Sequence, residues 1–303
     1  MMNNKNLKLS KEDKIFVALN YLFIIVSTVI VLYPLIYIIS ASISTPNAVI
    51  SGKMWLFPKG FTLEGYKKVL INNDIWMGYK NTIIYTIASI IINLIVTIPC
   101  AYSLSRTEFL GRSFFMKFMM ITMFFSGGMI PTYLLIKSLG MLNTMWALII
   151  PGATNVYNII VTKSFFDSNI PRELEESAIV DGADDFTILL KIVLPLSTSI
   201  IAVIALFVGV GRWNGFMDAL IYLSDRSKYP LQMILREILV LQDMGSNMTS
   251  SNTSTAELLQ KKAELAAIIK YSVMIISTLP VIVIYPFLQR YFVKGMLVGS
   301  LKG

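Results

Sequence analysis

Six long stretches without a charged residue dominate the hydrophobic pattern of the chain. Each stretch is 19 to 25 residues long, and a helix needs about 20 apolar residues to cross the hydrocarbon core of a bilayer. Backbone N–H and C=O groups find no partner in lipid, so such stretches must be helical. The pattern predicts an all-α integral membrane protein that forms a single transmembrane domain over residues 1–303. Its six transmembrane helices are expected at about 15–39, 81–104, 118–136, 141–162, 192–211 and 271–289.

The first stretch has an alternative interpretation as a cleaved signal peptide. It follows four lysines, and Ser40-Ala41-Ser42 at its end resembles a small-residue cleavage site. The apolar core of a signal peptide is about 7–15 residues long, whereas this stretch has 25, so a retained helix is preferred. The lysines favour a cytoplasmic N terminus. Six spans then place both termini in the cytoplasm and predict outer loops at 40–80 and 218–270.

Composition supports a membrane protein and argues against several classes of site. The chain is 55% hydrophobic and 15% charged, whereas soluble domains carry about 25% charged residues. The net charge is +8, but the basic residues are scattered rather than gathered in a stripe, which disfavours a nucleic-acid partner. There is no histidine and one cysteine. Because these are the usual residues of metal and acid–base sites, we expect no metal site and no catalytic residue.

The six predicted spans also contain no ionisable side chain. Proton relays and many ion-coupled carriers depend on ionisable groups within the membrane. If the protein moves a solute uphill, the energy should therefore come from a partner outside the lipid. An autonomous carrier, channel or membrane enzyme is the less favoured alternative.

Two of the connecting loops contain predicted helices. In loop 163–191, Pro171 and a run of three glutamates predict the start of a short acidic helix, and Gly182 permits a chain reversal after it. A second short helix then leads into the fifth span. In the outer loop, apolar residues at helical spacing predict an amphipathic helix after Pro230, followed by a flexible polar stretch at 245–255.

The acidic loop resembles a motif of the membrane subunits of ATP-binding cassette importers. That motif reads E-A-A, three residues, G, nine residues, and I-x-L-P. Six of its fixed positions match at the required spacing, and a serine replaces the first alanine. The six matching residues are Glu176, Ala178, Gly182, Ile192, Leu194 and Pro195, and the serine is Ser177.

Other segments resemble the carbohydrate permeases of this superfamily, so the resemblance covers nearly the whole chain. The tail 289–303 is similar to the C terminus of the smaller maltose-type permease, which contacts the ATPase. Phe57-Pro58 and the Trp213-Asn214-x-Phe216 stretch are similar to the same group. The sequence looks closest to permeases of Gram-positive bacteria that serve oligosaccharides.

This resemblance implies a type I importer permease fold with a cytoplasmic coupling helix. It implies four kinds of partner besides the lipid bilayer: a second, homologous permease, a cytoplasmic ATPase dimer, an extracellular substrate-binding lipoprotein and a sugar. ATP and Mg would be bound by the ATPase, because this chain has no GxxxxGK[ST] motif and carries no cofactor itself. The expected ATPase-coupling residues are Glu176, Ser177, Ala178, Asp181 and Gly182. The expected C-terminal ATPase contacts are Lys294, Gly295, Gly299 and Lys302.

A sugar path is the least constrained prediction. Sugar sites combine apolar faces with a few oriented polar groups, and the candidates are Asn93, Asn155, Tyr157 and Asn158. The alternative is that these side chains bond neighbouring helices, which is common in membranes. An importer permease for a different solute, such as a peptide or an amino acid, is the alternative function.

Overall fold

The computed structural model describes residues 10–247 and 269–286, and this part of the chain is helical. Its only β-type pairing is an isolated bridge between Ser44 and Phe61. The helices are α1 (Lys11–Ser42), α2 (Pro46–Ile50), α3 (Glu64–Ile71), α4 (Asn73–Ser105), α5 (Arg112–Phe124), α6 (Met129–Ser138), α7 (Trp146–Ile149), α8 (Val156–Asn169), α9 (Arg172–Val180), α10 (Asp185–Ile188), α11 (Leu194–Leu196), α12 (Thr198–Asn214), α13 (Met217–Tyr222), α14 (Leu231–Asn247) and α15 (Ile269–Pro286).

Three of the described helices are long and apolar enough to cross a membrane, namely α1, α4 and α15. They coincide with the first, second and sixth predicted spans, although residues 287–289 of the sixth lie outside the described part. Nearly every large apolar side chain of α1 is exposed. On a helix of 32 residues this is what contact with lipid requires.

Two further predicted spans coincide with bent pairs of helices. The third predicted span covers parts of α5 and α6, which meet at 111°, and the fifth covers α11 and most of α12, where the chain bends by 81°. The first break falls at Gly128, whose φ is +85°, and the second follows Pro195. Counting each pair as one span gives five candidates in the described residues.

The fourth predicted span is interrupted. Residues 141–162 contain α7, a 3₁₀ turn at Ile150–Gly152 and the first half of α8. Asn155 caps α8, and its side chain accepts a hydrogen bond from the backbone N–H of Asn158. The total of six spans stays a prediction, as does the single domain.

The described residues fall into two contact-dense units. The first draws on Met1–Ile71 and Ile238–Ile276, and the second on Asn72–Glu237 and Ser277–Gly303. Within the first unit, the Ser42 hydroxyl and the Tyr66 hydroxyl are 2.8 Å apart, which ties α3 to the end of α1. Both candidate sites lie in the second unit.

Helix α4 is the central element of the second unit and packs against α8 and α12. Toward its C-terminal end it contributes Ile98 and Tyr102 to one apolar cluster, which includes residues of α8 to α12. Tyr85 belongs to a second cluster with α7 and α13. Between these clusters the buried face of α4 turns polar, with Ser89, Asn93 and Thr97 at four-residue spacing.

The predicted amphipathic helix after Pro230 is confirmed as α14. Its first turn packs on α4: a Cβ added to Gly78 would lie 3.1 Å from the Leu231 Cα. The Thr82 hydroxyl accepts a hydrogen bond of 2.8 Å from the Leu231 backbone N–H. Most of the polar stretch predicted to follow, 248–255, lies outside the described residues.

Candidate functional site

The short acidic helix predicted in loop 163–191 is α9, and it ends in a tight reversal at Gly182. The Gly182 N–H donates to the Ile179 carbonyl and the Ala183 N–H donates to the Ala178 carbonyl, both at 2.9 Å. These two bonds form a Schellman motif, which requires a left-handed residue after the helix. Gly182 has a φ of +81°, and the predicted chain reversal is confirmed.

A second helical segment follows directly. Asp184 caps α10 by accepting a 3.0 Å hydrogen bond from the Thr187 backbone N–H. Hydrogen bonds from the side chain and the backbone N–H of Thr187 hold the pKa of Asp184 below its usual range. The chain then runs through a π-helical turn, Leu189–Val193, into α11. The helix–bend–helix order of the sequence prediction is therefore present.

The predicted coupling residues lie on the exposed side of this bend. Glu176, Ser177 and Asp181 are exposed, while Ala178 is half-buried against the apolar cluster around α4. Three large apolar side chains of α9, those of Leu174, Ile179 and Val180, are also exposed. A helix that presents both an acidic and an apolar surface to its surroundings is typical of an interaction site.

On its opposite side, α9 forms an ion pair with the residue that follows α4. The sequence analysis did not predict this pair. Glu175 and Arg106 are in contact, and only 9% and 18% of their side chains are exposed. The Arg106 guanidinium also lies over the Tyr102 ring, 4.4 Å from its centroid. One turn earlier, Arg172 donates to the Thr107 hydroxyl at 3.0 Å. Helix α9 is thus attached at two points to the residues that directly follow α4.

Burial and charge act in opposite directions on Glu175. Desolvation raises its pKa above the ordinary value of a glutamate, and Arg106 opposes that rise. The carboxylate therefore depends on Arg106 for its charge compensation. The pair lies in a cleft of ≈ 660 Å³ formed by the end of α4, loop residues 106–111, α9 and α10. We refer to it as the α9 cleft.

Gly182 offers a direct test of the bend. A Cβ at this position would meet nothing within 4 Å, so Gly182→Ala adds only the strain of a positive φ, about 1–2 kcal/mol. We expect ATP-driven uptake in vesicles to fall with alanine, to fall further with the β-branched valine, and to be largely retained with asparagine. Gly140→Ala is the matched control, because Gly140 has a φ of +67° and equally free surroundings. Equal loss of uptake in both alanine variants would exclude a specific role for the bend.

A polar cavity of ≈ 260 Å³ lies at the level of the polar stripe on α4. Helices α4, α8, α12 and α13 and the 3₁₀ turn before α8 contribute to its wall. We call it the polar cavity, and its lining residues are Ser89, Asn93, Gly152, Asn155, Asn158, Phe207, Val208, Gly211, Arg212, Gly215 and Asp218.

Three of the four predicted path residues meet at this cavity, and the fourth does not. Asn93 is buried, and its amide donates to the carbonyl of Ala153 at 3.1 Å, while its oxygen accepts from Thr97. Asn155 caps α8, beside Asn158. Tyr157 is exposed and is not part of the cavity wall. Asn93 therefore holds the break before α8 as well as lining the cavity.

The sequence analysis did not identify the charged residues of the α9 cleft or of the polar cavity. Arg106 directly follows α4 and was not among the candidates, and Glu175 stands beside the motif glutamate without belonging to the motif. Arg212 directly follows the predicted fifth span, and the structure includes it in α12. A cation at the end of an apolar run was the available signal in both cases. The C-terminal contacts, Lys294, Gly295, Gly299 and Lys302, lie outside the described residues.

Residues 75–298 match the family of binding-protein-dependent transport system inner membrane components. The chain belongs to this family. As a member it is a membrane permease subunit of an ATP-binding cassette importer and not an enzyme, as the motif in loop 163–191 predicted. In such importers a partner permease, an ATPase and a substrate-binding protein act together with the permease, and the permease itself carries no cofactor. Among the described residues, no three acidic or cysteine side chains are grouped to hold a metal ion.

Two relatives of this permease come from Bacillus subtilis (strain 168). Protein LplC is 42% identical over 97% of both chains. The polygalacturonan/rhamnogalacturonan transport system permease protein YtcP is 40% identical over 96% of this chain and 100% of the relative.

A solved structure has the same fold. It is a chain from the crystal structure of a bacterial ABC transporter involved in the import of the acidic polysaccharide alginate. The identity is 35%, the TM-score is 0.85, and 95% of this permease and 100% of that chain are covered. The predicted importer permease fold is confirmed by this likeness.

Proposed function

We propose that this permease translocates oligosaccharides in an ATP-driven importer, as one half of a heterodimer with a second, homologous permease. The observation that carries the proposal is the end-to-end similarity to a permease named for polygalacturonan and rhamnogalacturonan transport. The arabinooligosaccharide permease AraQ of Halalkalibacterium halodurans is a further relative, 26% identical over 90% of this chain. These names favour a sugar over a peptide or an amino acid.

In this proposal α9 is the coupling helix. Its exposed surface, which includes Glu176 and Ser177, docks into a separate cytoplasmic ATPase that binds ATP and Mg. Ala178 seats the helix on the permease, and Asp181 and Gly182 set the angle to α10. Both termini are cytoplasmic and the chain crosses the cell membrane six times. The tail residues Lys294, Gly295, Gly299 and Lys302 make a second contact with the ATPase.

The Arg106–Glu175 pair mechanically connects the proposed coupling helix to the rest of the permease. Helix α4 has 33 residues and is therefore about 50 Å long at 1.5 Å per residue. It carries Arg106 directly after its last residue and Ser89 and Asn93 in its middle. A displacement of α9 by the closing ATPase is passed through the ion pair to α4, and along this helix to the polar cavity.

The sugar path runs along the polar cavity. Asn155 and Asn158 offer hydrogen-bonding groups for hydroxyls, Asn93 shapes the wall, and the exposed Tyr157 faces the second permease. An extracellular lipoprotein delivers the sugar. The Bacillus relatives favour a Gram-positive source for the importer.

The substrate class is tested on the substrate-binding lipoprotein of the proposed importer. Titration calorimetry would compare its binding of neutral and acidic oligosaccharides with its binding of short peptides and amino acids. We expect micromolar or tighter binding of an oligosaccharide and none of the peptides. A lipoprotein that binds a peptide or an amino acid and no sugar would contradict the proposal.

A further inference from the structure

The polar cavity contains a buried hydroxyl with no hydrogen-bond partner in the described structure. Ser89 is 5% exposed and lines the cavity, and its Oγ is unpaired. Buried polar atoms are almost always satisfied by protein, water or ligand. The Ser89 hydroxyl is therefore available to a polar molecule in the cavity.

The guanidinium of Arg212 also lines this cavity, and it makes few hydrogen bonds in the part of the chain that the structure describes. Its side chain is 16% exposed, and within the described residues its one hydrogen bond runs from Nη1 to the Asp218 carboxylate at 3.2 Å. A guanidinium has five N–H donors in a planar fork. Most of that fork is left for another acceptor.

Glycine residues near Arg212 leave its guanidinium accessible from the cavity. A Cβ added to Gly152 would lie 3.1 Å from the Arg212 Nη2, so any side chain there would crowd the guanidinium. Gly211 and Gly215 also line the cavity, and Gly211 has nothing within 4 Å of an added Cβ. The absence of side chains at Gly152 and Gly211 thus leaves space beside Arg212.

The Asp218 carboxylate, which pairs with Arg212, can be replaced by the carboxylate of a bound molecule. The Asp218 side chain is 55% exposed, and ion pairs with exposed members contribute little because water competes for them. A carboxylate of a bound molecule can take the place of Asp218 with two parallel hydrogen bonds to the guanidinium, which is the strongest arrangement of such a pair. A neutral molecule would leave Arg212 with Asp218 and gain nothing from its charge.

We propose that the polar cavity is a subsite for one acidic sugar residue, whose carboxylate binds Arg212 and whose hydroxyls reach Ser89 and Asn155. A volume of ≈ 260 Å³ is below the range of pockets for drug-sized ligands and suits one ring of an oligosaccharide. Phe207 offers an apolar wall for the face of that ring. The inference rests on the proposed function and narrows it to oligosaccharides that carry uronic acids.

The test measures ligand binding to the purified importer complex without the lipoprotein. The probes are trimers of galacturonate, mannuronate and glucuronate, each with its methyl ester, and the signal is the fluorescence of Trp213, a buried neighbour of Arg212. We expect at least one acid to bind at least tenfold more tightly than its ester. Arg212→Gln should remove that difference and Arg212→Lys should keep part of it.

The Asp218→Asn variant distinguishes a ligand-binding role of Arg212 from a purely structural role of its ion pair with Asp218. It removes the competing carboxylate, so the acid should bind more tightly, whereas loss of a structural ion pair would weaken all ligands alike. Lys137→Gln, which removes an exposed cation outside the cavity, should change nothing.

Equal affinity for acids and esters, or no saturable binding of any acid, would overturn the subsite. The import of neutral sugars would still stand in that event. Whether the importer takes sugars at all is decided separately, by the calorimetry on the lipoprotein.

Discussion

Replacing Arg106 by glutamate is expected to reduce ATP-driven uptake at least tenfold while the ATPase stays bound. Removing one partner of a buried ion pair costs about 3–5 kcal/mol, and here the new carboxylate also repels Glu175. The ion pair between Glu175 and the end of α4 is lost, but the exposed surface of α9 that includes Glu176 is unchanged. Uptake and ATPase content are measured on the same reconstituted complex.

The exchanged pair is the decisive control for this prediction. Arg106→Glu combined with Glu175→Arg restores opposite charges and should recover a large part of the uptake, because the two residues interact directly. Arg112→Glu is the matched single variant, since Arg112 belongs to a looser pair with Asp167 at 3.9 Å. It should retain most of the uptake. A swapped pair no better than the single variants would show that the attachment does not transmit motion.

Replacing Glu176 by lysine is expected to release the ATPase from the purified complex and to abolish uptake. The residue is exposed on α9, and the proposed coupling role sets it against a basic ATPase surface. Truncating or reversing one member of a charge pair that becomes buried in an interface costs about 2–5 kcal/mol. Glu176→Gln, which removes the attraction without adding repulsion, should lie between the lysine variant and the native permease.

Glu12→Lys controls for the charge reversal itself. Glu12 is an exposed glutamate in the first turn of α1, at the predicted cytoplasmic end of that helix. This variant should keep its ATPase and its uptake. If the ATPase co-purifies with Glu176→Lys at the native ratio, α9 is not its docking site.

The sequence predicted the helices of this permease better than their breaks. Uncharged stretches report that a segment avoids water, and α1, α4 and α15 follow them closely. Hydropathy is insensitive to backbone direction, however, so the 111° bend between α5 and α6 could not be read from it. The glycine pair Gly127-Gly128 was the local signal, because Gly128 adopts a positive φ that other residues avoid.

The same distinction applies to the candidate sites: features set by neighbouring residues could be predicted, and features set by contacts between distant residues could not. The reversal at Gly182 is encoded within a few residues of α9 and was predicted. The Arg106–Glu175 pair joins positions 69 residues apart, and nothing in a single sequence specifies which cation meets which carboxylate. The polar cavity likewise depends on the contact of α4, α8 and α12, so the sequence offered its asparagines but not Ser89 or Arg212.

ATP-driven uptake into sealed vesicles is the most direct test of the account. The vesicles would contain this permease, its partner permease and the ATPase, with the lipoprotein and a labelled oligosaccharide outside and ATP inside. The account predicts accumulation against the gradient that needs both ATP and the lipoprotein and that disappears in Glu176→Lys. Uptake by this chain alone, or accumulation without ATP, would contradict it.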